Sequence, residues 1–280
     1  MKKFIALCSS LVTAVLLLTA LSCDAQAPAD ICVSIPPQAW LTDRIGGEEL
    51  RVTVMVPPGT APPTYAPTPS QLRDLQNSRL YIAIGHPDFH FEQKHIRPFL
   101  GGHPEIRELN MADSVDIIAG DAHIWMSPAV MKMNAERLYR ELAALYPGKK
   151  EIFRRNYRNT AADIDSLDRE LRKMFAPYRG REFFILHPAL QYFCRDYGLR
   201  QISIRKDNKS ASAKRLAELI DYAREHDIRS ILIQEEFASE QLDIFAREIG
   251  ATVVRIDPLD RSWLTNLHDI ATTLERVFHE

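Results

Sequence analysis

The segment 149–176 runs for about 28 residues without a glycine or a proline. Phe153, Tyr157, Ile164, Leu167, Leu171 and Met174 recur in it at steps of three, four or seven, which places them on one face of a helix. Gly148 precedes the segment and Pro177 stops it. At 1.5 Å per residue such a helix is roughly 40 Å long, more than the width of a small domain. Short apolar runs alternate with helical patterns on both sides of it. The expectation is therefore an α/β protein of two lobes, each with a mainly parallel sheet flanked by helices, joined by one long rigid helix. The boundaries read as an N-terminal lobe over 28–147, the linking helix over 148–177 and a C-terminal lobe over 178–280. The alternative is a surface helix of one larger domain.

The first residues stand outside this plan. Lys2 and Lys3 precede an apolar stretch over 4–21 that only Ser9, Ser10, Thr13 and Thr19 interrupt, the form of a secretory signal. Ala20, Leu21, Ser22 and Cys23 resemble a lipoprotein box, which makes 1–23 a lipoprotein-type signal with Cys23 as the acylated residue. Ala25-Gln26-Ala27 offers an ordinary cleavage site instead. Of four cysteines, Cys8 lies in the signal and Cys23 at its end. Cys32 and Cys194 remain, and they read as buried free thiols, because they fall in different lobes and apolar settings. A net charge of −2 with no basic run argues against a nucleic-acid partner.

Along the chain, 31–35, 51–56 and 80–84 read as strands. A helix is expected over 37–45. A loop dense in proline follows (Pro57, Pro58, Pro62, Pro63, Pro67, Pro69), and Ser70 is expected to cap the next helix. A helix is expected over 91–99, then a looser region over 101–122, then a helix to about Tyr146. In the second half, 183–186, 201–204, 230–234 and 252–256 read as strands. Helices are expected over 189–197, 213–226, 239–249 and 263–279. The alternation implies right-handed crossovers.

In open α/β sheets, ligands bind beyond the carboxyl ends of strands. His86, His187, Glu235, Glu236 and Asp257 stand at such ends, and His123 opens a helix in an aromatic, proline-bounded loop. Imidazoles with a carboxylate suit a divalent first-row metal such as zinc or manganese. His95, His103, His226, His268 and His279 read as structural or surface histidines. Asp257 before Pro258 also fits a simple turn, and the Glu235-Glu236 pair a solvated loop.

Several stretches together resemble the zinc/manganese solute-binding lipoproteins of bacterial ABC importers. They are Ser34-Ile35-Pro36-Pro37-Gln38; Val56-Pro57-Pro58-Gly59 with Thr64-Tyr65 and Pro67-Thr68-Pro69-Ser70-Gln71; the segment from Asp121 through His123, Ile124 and Trp125 to Pro128; His187-Pro188-Ala189 with Tyr192-Phe193; and Asp257-Pro258-Leu259. The resemblance implies two α/β lobes on one long helix, with His123, His187 and Asp257 as metal ligands. It also implies Zn(II), or else Mn(II), as cargo, an ABC permease as partner, a monomer held at the membrane by lipid or free in the periplasm, and no catalysis. One family ligand has no counterpart, since Pro63 stands where a histidine is usual. His86, one strand over, is the expected replacement, with His90, Glu235 or water as substitutes. Two other readings remain: a member that binds another ligand or a protein partner without metal, and a metal-dependent hydrolase with Glu235 as base.

Overall fold

The structure, a computed structural model, describes residues 30–205, 211–234, 237 and 240–279. The signal, Cys23, Glu235 and Glu236 lie outside the described residues. The first sheet holds β1 (Ile31–Val33), β2 (Val52–Val54), β3 (Leu80–Ala83) and β4 (Arg107–Asn110). The second holds β5 (Glu182–Ile185), β6 (Arg200–Ser203), β7 (Ser230–Ile233) and β8 (Thr252–Arg255). All pairings are parallel, in the orders β2-β1-β3-β4 and β6-β5-β7-β8. The two sheets thus repeat one topology. In each, the strand order reverses beside the first strand, which opens a crevice at the carboxyl ends of β1 and β3 and again of β5 and β7.

The helices follow from the sequence with a few corrections. α1 (Pro36–Gly46) starts on two prolines, which fit the first turn because its amides have no partner there. α2 (Pro69–Asn77) is capped by Thr68, not Ser70: the Thr68 hydroxyl accepts from the Gln71 amide, and Pro69 takes the first helical position. The expected helix over 91–99 is present and runs over 90–101, with a π-type turn (Glu92–Ile96) leading into α3 (Arg97–Gly101). The region expected to be loose over 101–122 contains β4. That strand lies at the edge of its sheet and buries only Leu109, so it shows no apolar run in sequence.

α4 (Pro128–Leu145) is capped by Ser127. α5 (Lys150–Phe175) is the long helix, and 3₁₀ turns at both ends prolong it. The shorter helices are α6 (Gln191–Tyr197), which ends on Gly198 in the left-handed region, α7 (Ala213–Glu225), α8 (Glu240–Ile249) and α9 (Trp263–His279).

α5 buries Phe153, Ile164, Leu167, Leu171 and Phe175 against α4, α1 and α9. At about 1.5–3 kcal/mol per large apolar side chain, this face outweighs the helix's own propensity. One continuous cluster takes in the first sheet, α5, α9 and one face of the second sheet, including Phe183, Ile185 and Leu232. A separate cluster covers the other face of the second sheet, with Phe184, Ile231 and Phe245. The long helix is therefore embedded in a shared core rather than a solvated strut. Cys32 and Cys194 are free and buried, and burial pushes the Cys32 thiol up to about 12.

Candidate metal centre

Between the sheets, at their carboxyl edges, lies a cavity of about 310 Å³. Its wall includes the proline-rich loop (Pro62, Pro63), the segment after β3 (Phe89, His90, Phe91) and the loop before α4 (His123, Trp125). The second half contributes His187, Gln234, Phe237 and Leu259. Trp125 ties the two sides together: its indole N–H donates to the Pro258 carbonyl at 2.8 Å, and its own carbonyl accepts from the Trp263 indole at 2.8 Å.

His123 is held by Asp121. Asp121 Oδ1 accepts from the His123 amide at 2.9 Å and from ring Nδ1 at 2.7 Å, and Oδ2 accepts from the Gln191 amide at 3.0 Å. Burial opposes the charge on Asp121, but His123 and these three donors hold its carboxyl below the usual range. A carboxylate can only accept, so Nδ1 carries the proton and Nε2 keeps a lone pair. Trp125 packs against the ring at 4.8 Å.

His187 meets His123 edge to face, with ring centroids 5.5 Å apart. Zinc binds imidazole nitrogen at about 2.0–2.1 Å, which places two tetrahedrally disposed ring centroids about 5 Å apart. The pair is therefore spaced as two ligands of one ion. Phe237 backs His187 at 4.4 Å, and its Nδ1 is buried without a hydrogen-bond partner. Burial and the neighbouring His123 push its pKa down to about 3, so the ring is neutral at physiological pH. A neutral imidazole is what a metal requires.

The other expected ligands are placed differently. His86 is fully buried outside the cavity wall, and its ring meets Tyr192 at 6.4 Å. Its Nδ1 accepts from the Asp88 amide at 3.0 Å, so the neutral ring carries its proton on Nε2, which has no partner. The side chain is a donor as it stands, not a lone pair. Asp257 is exposed beside the wall residues Pro258 and Leu259, and its Oδ1 accepts from the Leu259 amide at 2.8 Å. His90 does line the cavity. Among the described residues, no group of three or more His, Cys, Asp or Glu side chains is arranged to hold an ion.

Two contributors escaped the sequence reading. One is Asp121 as the residue that orients His123, which the two-residue spacing could have signalled, since an aspartate readily bonds the backbone two residues on. The other is Gln234, whose buried Oε1 has no partner and for which no local pattern exists.

The family model for zinc-uptake complex component A, periplasmic (ZnuA), matches residues 31–277. The high-affinity zinc uptake system protein ZnuA of Bacillus subtilis (strain 168) is 26% identical over 80% of this chain and 76% of its own length. A putative metal-binding protein of Chlamydia muridarum is 26% identical over 86% of this chain and 89% of its own. Among solved structures, a crystal structure of ZnuA is 33% identical over 89% of this chain and 98% of its own, with a TM-score of 0.83. A zinc-bound deletion mutant of ZnuA is 34% identical over 89% of this chain and 97% of its own, with a TM-score of 0.82. With two imidazoles paired in the cavity between the sheets and a family match over nearly all the described residues, the chain belongs to the ZnuA family, the periplasmic component A of zinc-uptake complexes.

Proposed function

We propose that the protein captures zinc between His123 and His187 and hands it to a membrane permease. The observation that carries this reading is the 5.5 Å pairing of two imidazoles from opposite halves of the molecule, one held by a buried carboxylate and the other neutral. Asp257, at the rim, is the proposed third ligand. It reaches the ion by giving up its bond to the Leu259 amide. His86 is the proposed fourth ligand and needs a loop shift to reach the ion. Imidazole donors favour zinc over manganese, which prefers oxygen. The role is carriage without turnover, by a monomer outside the cytoplasm, anchored by lipid where Cys23 is acylated.

Zinc titration with circular dichroism tests the reading. His123→Ala and His187→Ala are each expected to weaken zinc binding by more than about a hundredfold while the fold persists, since a lost ligand leaves the ion poorly compensated. Parent-like affinity in both variants would remove the site. A selective loss in His86→Ala would bring that residue into the ligand set.

A further inference from the structure

Zinc holds its ligands in a tetrahedron of fixed size, so a carrier has to bring its imidazoles to the right separation. His123 and His187 come from opposite halves of the molecule, yet their rings stand 5.5 Å apart. Asp121 accounts for the tilt of His123. It does not by itself account for where the loop carrying His123 lies relative to His187.

The short helix α6, which follows His187, holds that loop at three points. The Gln191 amide donates to Asp121 Oδ2 at 3.0 Å. The Tyr192 hydroxyl accepts from the Ile118 amide at 2.9 Å. Arg195 Nη1 donates to the Asp116 carbonyl at 3.3 Å, and its guanidinium lies over the Tyr192 ring at 5.0 Å. From the first half, Asp88 Oδ2 accepts from the Gly120 amide at 2.8 Å. Ile118 stands five residues before His123, and Tyr192 five residues after His187. Two arms of equal residue count therefore close like a clasp. The Ile118–Tyr192 bond lies at one end, the Asp121–Gln191 bond between, and the imidazoles at the other end.

The Tyr192 hydroxyl is the contact that can be removed most cleanly. Tyr192 is fully buried in the shared core, and its ring meets His86 at 6.4 Å, a contact that phenylalanine keeps. Without the hydroxyl oxygen the Ile118 amide needs another acceptor, and the half-buried loop finds one by moving toward water.

We infer that Tyr192 is a positioning residue for zinc: by accepting from the Ile118 amide, its hydroxyl sets how closely the His123 loop approaches His187. It is not a donor to the ion. The inference rests on the zinc-carrier reading above and adds to it a residue outside the ligand set.

Tyr192→Phe tests it. Tyr139→Phe is the control, the same chemical change at a ring on α4 that stacks on Tyr157 and lies off the cavity wall. Zinc affinity is read by competition with a fluorescent chelator. Site geometry is read from the visible bands of bound Co(II), which accepts tetrahedral sites as zinc does, and folding from denaturant melts. Tyr192→Phe is expected to weaken zinc binding about tenfold, the low end of what groups behind the ligands contribute. Its Co(II) bands shift and lose intensity, the Ile118 amide opens to hydrogen exchange, and the melt midpoint stays close to that of Tyr139→Phe. Tyr139→Phe keeps the parent's affinity and bands. Parental zinc affinity and Co(II) bands in Tyr192→Phe overturn the inference and leave the zinc-carrier reading standing. A loss of affinity with unchanged bands, or one that follows a fall in the melt midpoint, overturns it too. A parent chain that takes up no zinc overturns both.

Discussion

At the residue scale, the metal pair depends on groups that never touch the metal. Asp121 fixes both the tautomer and the tilt of His123, through its ring nitrogen and through its backbone. Such carboxylate–histidine contacts commonly change metal affinity by about 10–100-fold. Asp121→Asn is expected to weaken zinc binding by that factor, because an amide can present N–H₂ to Nδ1 and so stabilise the wrong tautomer. NMR of the ring nitrogens would show the proton moving to Nε2, and unchanged zinc affinity together with an unmoved tautomer would contradict the orienting role. Pro63 acts by what it lacks: the loop keeps its course while its wall position carries no donor. His86 shows how a residue of suitable type can be turned to other work, since the Asp88 amide occupies the nitrogen that would have been its lone pair.

At the element scale, the end of β3 is held by one buried glutamate. Glu92, on the π-turn, accepts from the Ile84 and Gly85 amides and from Ser34 of the segment after β1, and Ser34 in turn contacts the Tyr81 hydroxyl at 2.5 Å. Gly85 is required here. It has φ +74°, and an added Cβ would lie 1.7 Å from Asn110 Oδ1. Burial pushes the Glu92 carboxyl up to about 7 from 4.5, against the pull of its three donors. The folded chain therefore holds a proton there that the unfolded chain releases. The stability this contributes is full below about pH 4.5 and is lost as pH rises through 7, a difference of up to about 3 kcal/mol. Glu92→Gln is expected to lower stability by about 1–3 kcal/mol through a mismatched amide, and to remove that decline from the curve of stability against pH. Denaturant melts at pH 4.5, 6 and 8 would decide it; a slope like the parent's would assign the decline to other groups.

At the scale of the whole molecule, the two sheets are not independent bodies on a flexible tether. α5 lies in a core shared by both, and Trp125, Trp263 and Pro258 are linked by two indole hydrogen bonds across the junction. Trp40 packs on Trp263 at 4.9 Å, and Arg261 pairs with Asp43 at 2.7 Å. Large hinge opening would break all of these at once. Zinc loading is therefore expected to change the radius of gyration by under about 1 Å in small-angle scattering, with the response confined to loops. Trp125, 4.8 Å from His123, should report it through its fluorescence. A change of several ångströms would show that the shared core yields.

The long helix and the parallel α/β order were legible in the sequence, because period, proline position and turn residues are local properties, whereas His123 and His187 were singled out as ligands through the resemblance to a family. The edge strand β4 was not, since its stability comes from pairing with β3 rather than from an apolar run of its own. The partnership of Asp121 with His123 was within reach of the sequence through its two-residue spacing, but the docking of Asp121 on the Gln191 amide and the spacing of the two imidazoles needed the tertiary structure. Each depends on chain segments tens of residues apart being brought to one edge, or on which nitrogen a neighbour occupies. The sequence by itself determined the long helix and the two parallel sheets, and offered several histidines near their carboxyl edges. Only the fold decided which of them keep a free lone pair there, because that is set by hydrogen bonds the folded backbone makes.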